Sequence, residues 1–421
     1  MMNQMILALA LFVIMYVLLL VFSEKRWIIA LSAAALFLVL RIVPLGAAPH
    51  AVNWNVLMML TGTMAIVELF IESKMPLRMA EGLLKITPNV QWAIVALSLF
   101  SGLISAFVDN VATVLMVAPV GLAVAKKIKT NPVPMIISIA VSSNLQGAAT
   151  LVGDTTSILL GGYMNMGFND FFWFHGKPGI IFAVETGALL TIPVLLWLFR
   201  KEKAHISSAV ETKVTNYMPS LLLLGTIVLL IAASQFPNKP EMTNGLICCG
   251  LAVIGVVYEL VRTRNKETLV RVAKSIDYQT LLLLSGLFIV IEGLTRAGVI
   301  DAIAQQFMRL GGGSVLLMYA MIVGVSVLLS AFIDNIPYVA TMLPVVVNIA
   351  NLMHVEPYLF AFGLLIGQRS AATSPPSVPL PTLPGSASCR RKDIKSPPGI
   401  SSASAFLSPS LPPSPAPSSS G

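Results

Sequence analysis

Two Asp-Asn pairs interrupt long apolar stretches of this chain, and carboxylates in such surroundings are candidates for ion chemistry. Asp109 and Asn110 lie in the middle of region 90–125, and Asp334 and Asn335 lie in the middle of region 314–350. A carboxylate in hydrocarbon is costly unless it faces water, protein or a partner ion. Each pair could therefore coordinate a transported or coupling cation, or carry a proton. The alternative is that Asp and Asn only cap helices that begin there.

A second polar cluster runs through segment 142–156. Gly147 and Gly153 would let a helix unwind, and unwound backbone inside a membrane is tolerated where it lines a cavity or is buried in protein. The side chains that could then bind a small polar solute are Asn144, Thr150, Asp154, Thr155 and Thr156. A surface loop between two short helices is the alternative. It would remove a crossing between residues 125 and 179, so we predict a broken transmembrane helix.

Glu68 and Glu292 are weaker candidates for a proton relay. Each lies near the end of an apolar run, where a snorkelling side chain or a structural ion pair explains a glutamate equally well. The four histidines and three cysteines are scattered and have no spacing typical of a metal site. The sequence therefore predicts no cofactor beyond a coupling ion, H⁺ or Na⁺.

The composition indicates that lipid is the solvent around these residues. Hydrophobic residues make up 56% of the 421 positions, charged residues make up 11%, and the mean hydropathy is +0.84. Soluble domains contain about 25% charged residues. The net charge of +8 resides in short loops between apolar runs, which is typical of membrane topology and not of nucleic-acid binding.

The apolar runs predict a multi-pass protein of the cell inner (plasma) membrane. Seven runs approach the length of a bilayer crossing, and they are 5–22, 27–45, 54–71, 179–199, 218–236, 244–261 and 280–294. The two regions interrupted by Asp-Asn suit re-entrant hairpins, and region 133–160 suits a broken helix. With this topology seventeen Lys and Arg residues fall on the cytoplasmic side and five on the other.

An internal repeat sets the predicted architecture. Block 105–119 recurs as block 330–344 with seven identical positions, and block 54–68 parallels block 278–292. The predicted directions of the copies are opposite, as in transporters built from inverted repeats. We therefore expect an all-α polytopic membrane protein with two inverted repeats, re-entrant hairpins and broken helices. Its predicted parts are a first repeat with scaffold helices (1–199), a cytoplasmic linker (200–217), a truncated second repeat (218–367) and a tail (368–421).

These motifs resemble the ion transporter superfamily, specifically the branch of arsenite-pump membrane subunits, the melanosomal P protein and citrate-transporter-like permeases. The resemblance covers residues 1 to about 367. It implies a scaffold with two hairpins, a homodimer in the lipid bilayer, and transport of arsenite, oxyanions or carboxylates with H⁺ or Na⁺. By matching motif it assigns ion or substrate binding to both Asp-Asn pairs and to segment 144–156. Dicarboxylate carriers typically have Ser-Asn-Thr tips, so the Asp-Asn tips resemble the arsenite-pump and P-protein side.

The predicted function is secondary active transport of a small ion: arsenite-like, an inorganic oxyanion or a carboxylate. A Na⁺/H⁺ antiporter is the nearest alternative. A channel or an intramembrane enzyme would be a different class of protein. An enzyme needs a nucleophile with a base or a metal cluster, and the sequence shows neither, so we do not expect an enzyme.

The tail departs from the family pattern. The resemblance implies a second unwound segment after residue 367 and then a final helix. Residues 368–421 are instead rich in Pro and Ser, a composition that indicates disorder. A regulatory tail is one explanation, and a shifted reading frame is the other. A suitable choice of codons for 370–389, read in another frame, can encode Gly-Gly-Asn-Ile-Thr-Pro, a motif of the broken-helix type. We therefore predict a frameshift and poor activity of the chain as written.

Overall fold

Helices form nearly all regular structure in the part of the chain that the structure describes. The computed structural model describes residues 2–127, 131–200, 212–236, 239–264 and 266–373. The helices of the first half are α1 (Met2–Val21), α2 (Arg26–Val39), α3 (Ala48–Ala51), α4 (Trp54–Glu72), α5 (Met75–Lys85), α6 (Val90–Ser105), α7 (Asn110–Lys127), α8 (Val133–Gln146), α9 (Thr155–Tyr163) and α10 (Ile180–Leu198). Three short 3₁₀ helices are Ser23–Lys25, Leu45–Ala47 and Phe168–Phe171.

The second half continues the same helical pattern. Its helices are α11 (Met218–Ala233), α12 (Thr243–Thr263), α13 (Glu267–Ser275), α14 (Tyr278–Arg296), α15 (Val299–Gly311), α16 (Val315–Ser330), α17 (Asn335–Leu352) and α18 (Tyr358–Thr373). Within the described ranges the sheet content is one antiparallel pair, β1 (Trp173–Phe174) with β2 (Lys177–Pro178).

Six of the described helices are long and apolar enough to cross a membrane. They are α1, α4, α10, α12, α14 and α17, and the pair α15–α16, bent by 119°, raises the number to as many as seven. The outer faces of α1 and α10 are largely exposed apolar side chains, as expected where lipid replaces water. The protein is therefore a multi-pass membrane protein.

The internal repeat is present in the helices themselves. Helices α6, α7 and α8 begin at residues 90, 110 and 133, and helices α16, α17 and α18 begin at residues 315, 335 and 358. The separation in the chain is the same for all three pairs of helices. That separation is the same one that relates Ser105 to Ser330. The predicted fold class, with two inverted repeats, hairpins and broken helices, is confirmed.

Two glycines of the repeat bring scaffold helices into close contact. A Cβ at Gly62 of α4 would lie 2.4 Å from the backbone carbon of Cys248 in α12, and one at Gly286 of α14 would lie 2.7 Å from that of Ala30 in α2. Small residues allow such backbone approach between membrane helices. The helix pairs α4–α12 and α14–α2 are therefore both held in close backbone contact by a glycine at the equivalent position of each repeat.

Some predicted boundaries differ from the observed ones. Helix α2 ends at Val39 and not near residue 45, because the chain turns through Arg41, which has a positive φ of 55°. Helix α18 continues to Thr373, so residues 368–373 of the predicted tail are helical. Residues 201–211 of the predicted linker, and residues 374–421 with their predicted frameshift or disorder, lie outside the described residues.

Candidate functional site

The two hairpin tips and the start of α9 line one cavity of about 650 Å³. The tip between α6 and α7 contributes one Asp-Asn pair, and the tip between α16 and α17 contributes the other. The predicted site residues on its wall are Glu68, Asp109, Asn110, Asp154, Thr155, Thr156, Asp334 and Asn335. The structure therefore brings together most of the polar residues that the sequence singled out.

The first tip begins a helix through its aspartate. Asp109 Oδ2 accepts hydrogen bonds from the backbone amides of Val111 at 2.9 Å and Ala112 at 3.2 Å. The carboxylate thus caps α7, as the capping alternative predicted. The same residue also lines the cavity, so capping and ion binding are compatible roles.

The second tip uses its aspartate differently. Asp334 precedes α17 but makes no capping hydrogen bond, and its Oδ2 accepts from Arg26 Nη1 at 2.5 Å. About a third of each side chain is exposed (31% and 36%). Asn335 Oδ1 accepts from Ser330 Oγ at 2.6 Å. The equivalent carboxylates of the two repeats therefore have different partners, one a helix terminus and one an arginine.

The break between α8 and α9 is buried and bonded to the first hairpin. Asn110 Nδ2 donates to Asn144 Oδ1 at 3.1 Å, and Ser143 Oγ donates to the Asn110 carbonyl at 3.1 Å. Thr150 Oγ1 donates to the carbonyl of Ala106. Non-helical backbone is thus enclosed by protein, which is the setting in which a membrane protein tolerates it.

Glycine is required where the break packs on the hairpin. A Cβ at Gly153 would lie 2.5 Å from the carbonyl oxygen of Gly147 and 2.7 Å from that of Ala106. A Cβ at Gly147 would lie 3.3 Å from Arg369 Nη1 and 3.4 Å from Ser105 Oγ. The two predicted glycines and Thr150 therefore act behind the cavity wall, where they set the position of the break.

Arg369 is a site residue that the sequence did not reveal. Its side chain is 1% exposed, and Nη2 forms an ion pair with Asp154. Nη1 donates to the carbonyl of Asn144 at 2.9 Å, and Nη2 donates to Thr156 Oγ1 at 3.1 Å. In the sequence it lies at the start of the predicted tail, 368–421. The signal that could have found it is the repeat, because Arg369 stands at the position equivalent to Asn144.

The two repeated glutamates lie in different cavities. Glu68 lines the site cavity. Glu292 lines a second cavity of about 590 Å³ together with Asn53 and Thr295, and it accepts from Arg296 Nε at 2.5 Å. Glu292 is therefore remote from the other site residues, in a structural ion pair.

The charge of the site cavity is predominantly negative. Its lining carboxylates are Glu68, Asp109, Asp154, Asp277 and Asp334. Two arginines contact them, Arg26 at Asp334 and Arg369 at Asp154. In the described residues no group of three or more His, Cys, Asp or Glu side chains is arranged to hold a metal ion. The arrangement is suited to binding a small ion through oxygen and amide groups.

Known proteins resemble this chain over most of its length. The sequence model of the family described as "Citrate transporter" matches residues 9–367. An uncharacterized transporter of Mycobacterium tuberculosis (strain CDC 1551 / Oshkosh) is 31% identical over 323 residues, which covers 75% of this chain and 73% of the relative. The human P protein is 24% identical over 409 residues, covering 76% of this chain and 48% of that protein.

A solved structure shares the fold. The YdaH transporter of Alcanivorax borkumensis, described as having an unusual topology, superposes with a TM-score of 0.54 and 14% sequence identity. The match covers 89% of this chain and 90% of that one. At this identity the likeness concerns the fold alone.

Proposed function

Since the chain belongs to the citrate transporter family, and is a membrane transporter and not an enzyme, we propose that it is a secondary active transporter of a small ion coupled to H⁺ or Na⁺. The proposed substrates are arsenite-like species, inorganic oxyanions or carboxylates. The proposed binding residues are the two Asp-Asn pairs and Asp154, Thr155 and Thr156 of segment 144–156, which line the cavity, with Glu68 as a proton relay.

One observation carries the proposal: both hairpin tips and the broken helix share a single cavity. Inverted repeats whose interrupted helices meet at one site can alternate access by moving one unit against the other. The scaffold pairs α4–α12 and α14–α2 pack through close glycine contacts, which supports a rigid frame for such motion. A channel would need no such alternation.

A Na⁺/H⁺ antiporter is the second candidate, and the acidic cavity favours it. Five carboxylates against two arginines leave a negative excess that attracts a cation or a proton. In that case the Asp-Asn pairs bind the exchanged ions themselves, and no separate anion is carried.

Reconstitution into liposomes tests both candidates, with the protein encoded by the repaired gene if the predicted frameshift is found. Labelled arsenite, phosphate and citrate are offered under an imposed pH or Na⁺ gradient, and an internal pH dye follows Na⁺ pulses. Gradient-dependent uptake of one solute supports symport or antiport of that solute, and Na⁺-driven alkalinisation without solute supports the antiporter. Flux that never exceeds equilibrium under any gradient contradicts the proposal, because it indicates a channel.

Matched variants identify the site in the same assay. Asp109→Asn is expected to abolish coupled flux. Asp301→Asn alters a carboxylate of α15 that accepts from Asn348 on an exposed face, outside the cavity, and is expected to leave flux unchanged.

We further propose that the protein resides in the cell inner membrane as a homodimer. Fractionation of cells that express a tagged chain tests the location. The mass of the purified protein–detergent complex tests the oligomeric state, and a monomeric mass contradicts the dimer.

A further inference from the structure

The guanidinium of Arg369 is surrounded by oxygen atoms. Its hydrogen-bond partners are the Asn144 carbonyl at 2.9 Å, Asn144 Oδ1 at 3.1 Å, Thr156 Oγ1 at 3.1 Å and the carboxylate of Asp154. These are a backbone carbonyl, an amide oxygen, a hydroxyl and a carboxylate. Hard cations take the same ligand types, and Na⁺ sites in transporters use unwound backbone carbonyls beside helix breaks.

The surroundings leave polar atoms unpaired. Ser105 Oγ, Gln368 Oε1 and Arg369 Nε are buried and have no hydrogen-bond partner in the described part of the chain. An arginine that served only to hold the fold would be expected to use its Nε, because an unpaired buried donor is costly. Each oxygen atom that contacts the guanidinium thus has a hydrogen-bond donor, whereas Arg369 itself leaves its Nε unpaired.

The repeat shows that an arginine is not required by the architecture at this position. The equivalent residue of the first repeat is Asn144, a neutral side chain that accepts from Asn110 at 3.1 Å. Both repeats build a hairpin and a following helix, yet only the second introduces a positive charge here. We infer that the positive charge of Arg369 is present to pair with the carboxylate of Asp154, because the hairpin fold itself does not require it.

We propose that the Arg369 guanidinium occupies a monovalent-cation site whose ligands are Asn144, Asp154 and Thr156, so that the chain binds no free Na⁺ at this position. The inference deepens the proposed function, because it concerns the ion dependence of that same cavity. Removal of the guanidinium would leave the oxygen atoms of Asn144, Asp154 and Thr156 without this donor, beside a cavity that Asp109 also lines. A free cation is then expected to bind to these oxygen atoms.

Equilibrium binding in detergent tests the inference without any transport. The full chain and Arg369→Gln are compared by ²²Na⁺ binding and by thermal unfolding in NaCl and in choline chloride at equal ionic strength. The unchanged chain is expected to show no saturable Na⁺ binding, and no Na⁺-induced change in midpoint, that depends on Asp154. Arg369→Gln is expected to bind Na⁺ saturably and to gain at least about 3 °C in midpoint at saturation, because a ligand of the folded state stabilises it.

Two control variants separate this site from general charge effects. Arg369→Lys keeps the charge and is expected to gain no Na⁺ binding over the unchanged chain. The double variant Asp154→Asn/Arg369→Gln lacks the carboxylate ligand and is expected to lose the binding that the single variant gains.

Two outcomes overturn the proposal. One is Asp154-dependent Na⁺ binding by the unchanged chain, and the other is a folded Arg369→Gln variant that no alkali cation stabilises. If Arg369→Gln does not fold, Arg369→Gly with millimolar guanidinium chloride is used. Folding is expected to recover with guanidinium and not with choline, and no recovery contradicts the site. Because none of these readouts involves flux, an absence of coupled transport would count against the proposed function alone.

Discussion

Arg369 forms hydrogen bonds with Asn144, the residue at the equivalent position of the first repeat. Its Nη1 donates to the Asn144 carbonyl at 2.9 Å and to Asn144 Oδ1 at 3.1 Å. When two equivalent positions of a pair of repeats touch, they lie beside the axis that relates the repeats. In inverted-repeat transporters the substrate and ion sites lie near that axis at the bilayer midplane. The contact therefore places Arg369, Asn144 and the Asp154 side of the candidate site beside that axis.

Replacement of Asp109 by asparagine is expected to preserve the stability of the protein but to abolish its transport. Asparagine keeps an acceptor oxygen for the amides of Val111 and Ala112, so Asp109→Asn should retain the cap of α7. Asp109→Ala should lose about 1 kcal/mol of stability. Both variants should lose gradient-driven flux because the ionisable carboxylate of the first hairpin tip is gone. Thermal unfolding and liposome flux measure the two effects, and normal flux in Asp109→Asn would count against an ionic role.

Gly153→Ala is expected to destabilise the protein by about 1–3 kcal/mol, the usual effect of forcing atoms into a filled interior. Its added Cβ would lie 2.5 Å from the Gly147 carbonyl oxygen, so backbone must move. Gly82→Ala is the matched control, because nothing lies within 4 Å of a Cβ there and alanine favours the helix α5. Denaturation midpoints of the two variants check this. Equal midpoints would contradict the close packing of the break.

Arg26 and Asp334 are expected to be coupled in function more than in stability. The pair joins the start of α2 to the second hairpin tip, and about a third of each side chain is exposed. Solvent screening therefore limits its contribution to stability to about 1 kcal/mol or less.

A double-mutant cycle of Arg26→Gln and Asp334→Asn measures the coupling. Arg26→Gln alone should reduce flux because it leaves Asp334 unpaired in an acidic cavity, and the double variant should recover part of that flux. Arg262→Gln, in an exposed pair with Glu259 of the same helix, is the control. Strictly additive effects on flux would show that the pair does not influence the tip.

The genomic DNA across codons 367–421 tests the predicted frameshift. A single-base change that restores an unwound Gly-Asn-Thr-Pro segment and a final helix is expected. If the shift lies before codon 369, the repaired chain loses Arg369 and should acquire the Na⁺ dependence predicted for Arg369→Gln. An intact reading frame would mean that the second half-site is built from Arg369 as the structure has it.

Local signals in the sequence predicted the apolar helices and their breaks, but not the helices α3, α5, α13 and α15 that lie between the apolar runs. Apolar run lengths predicted membrane helices, the repeated Asp-Asn pairs predicted the two breaks at Ser105 and Ser330, and Gly147 and Gly153 predicted the interruption after α8. These features depend on residues that are near each other in the chain, through helix capping, backbone freedom and burial in lipid. The repeat added long-range information, since equal blocks imply equal hairpins.

Only the tertiary structure decided which of these groups meet. Glu68 and Glu292 are equivalent in sequence, yet one enters the site cavity and the other pairs with Arg296 elsewhere. Asp109 caps a helix whereas Asp334 pairs with Arg26, and Arg369 pairs with Asp154, which lies 215 residues earlier in the chain. The physical reason is that charge pairing inside a membrane depends on distances between elements far apart in the chain. Packing of the scaffold sets those distances, and local composition does not encode them.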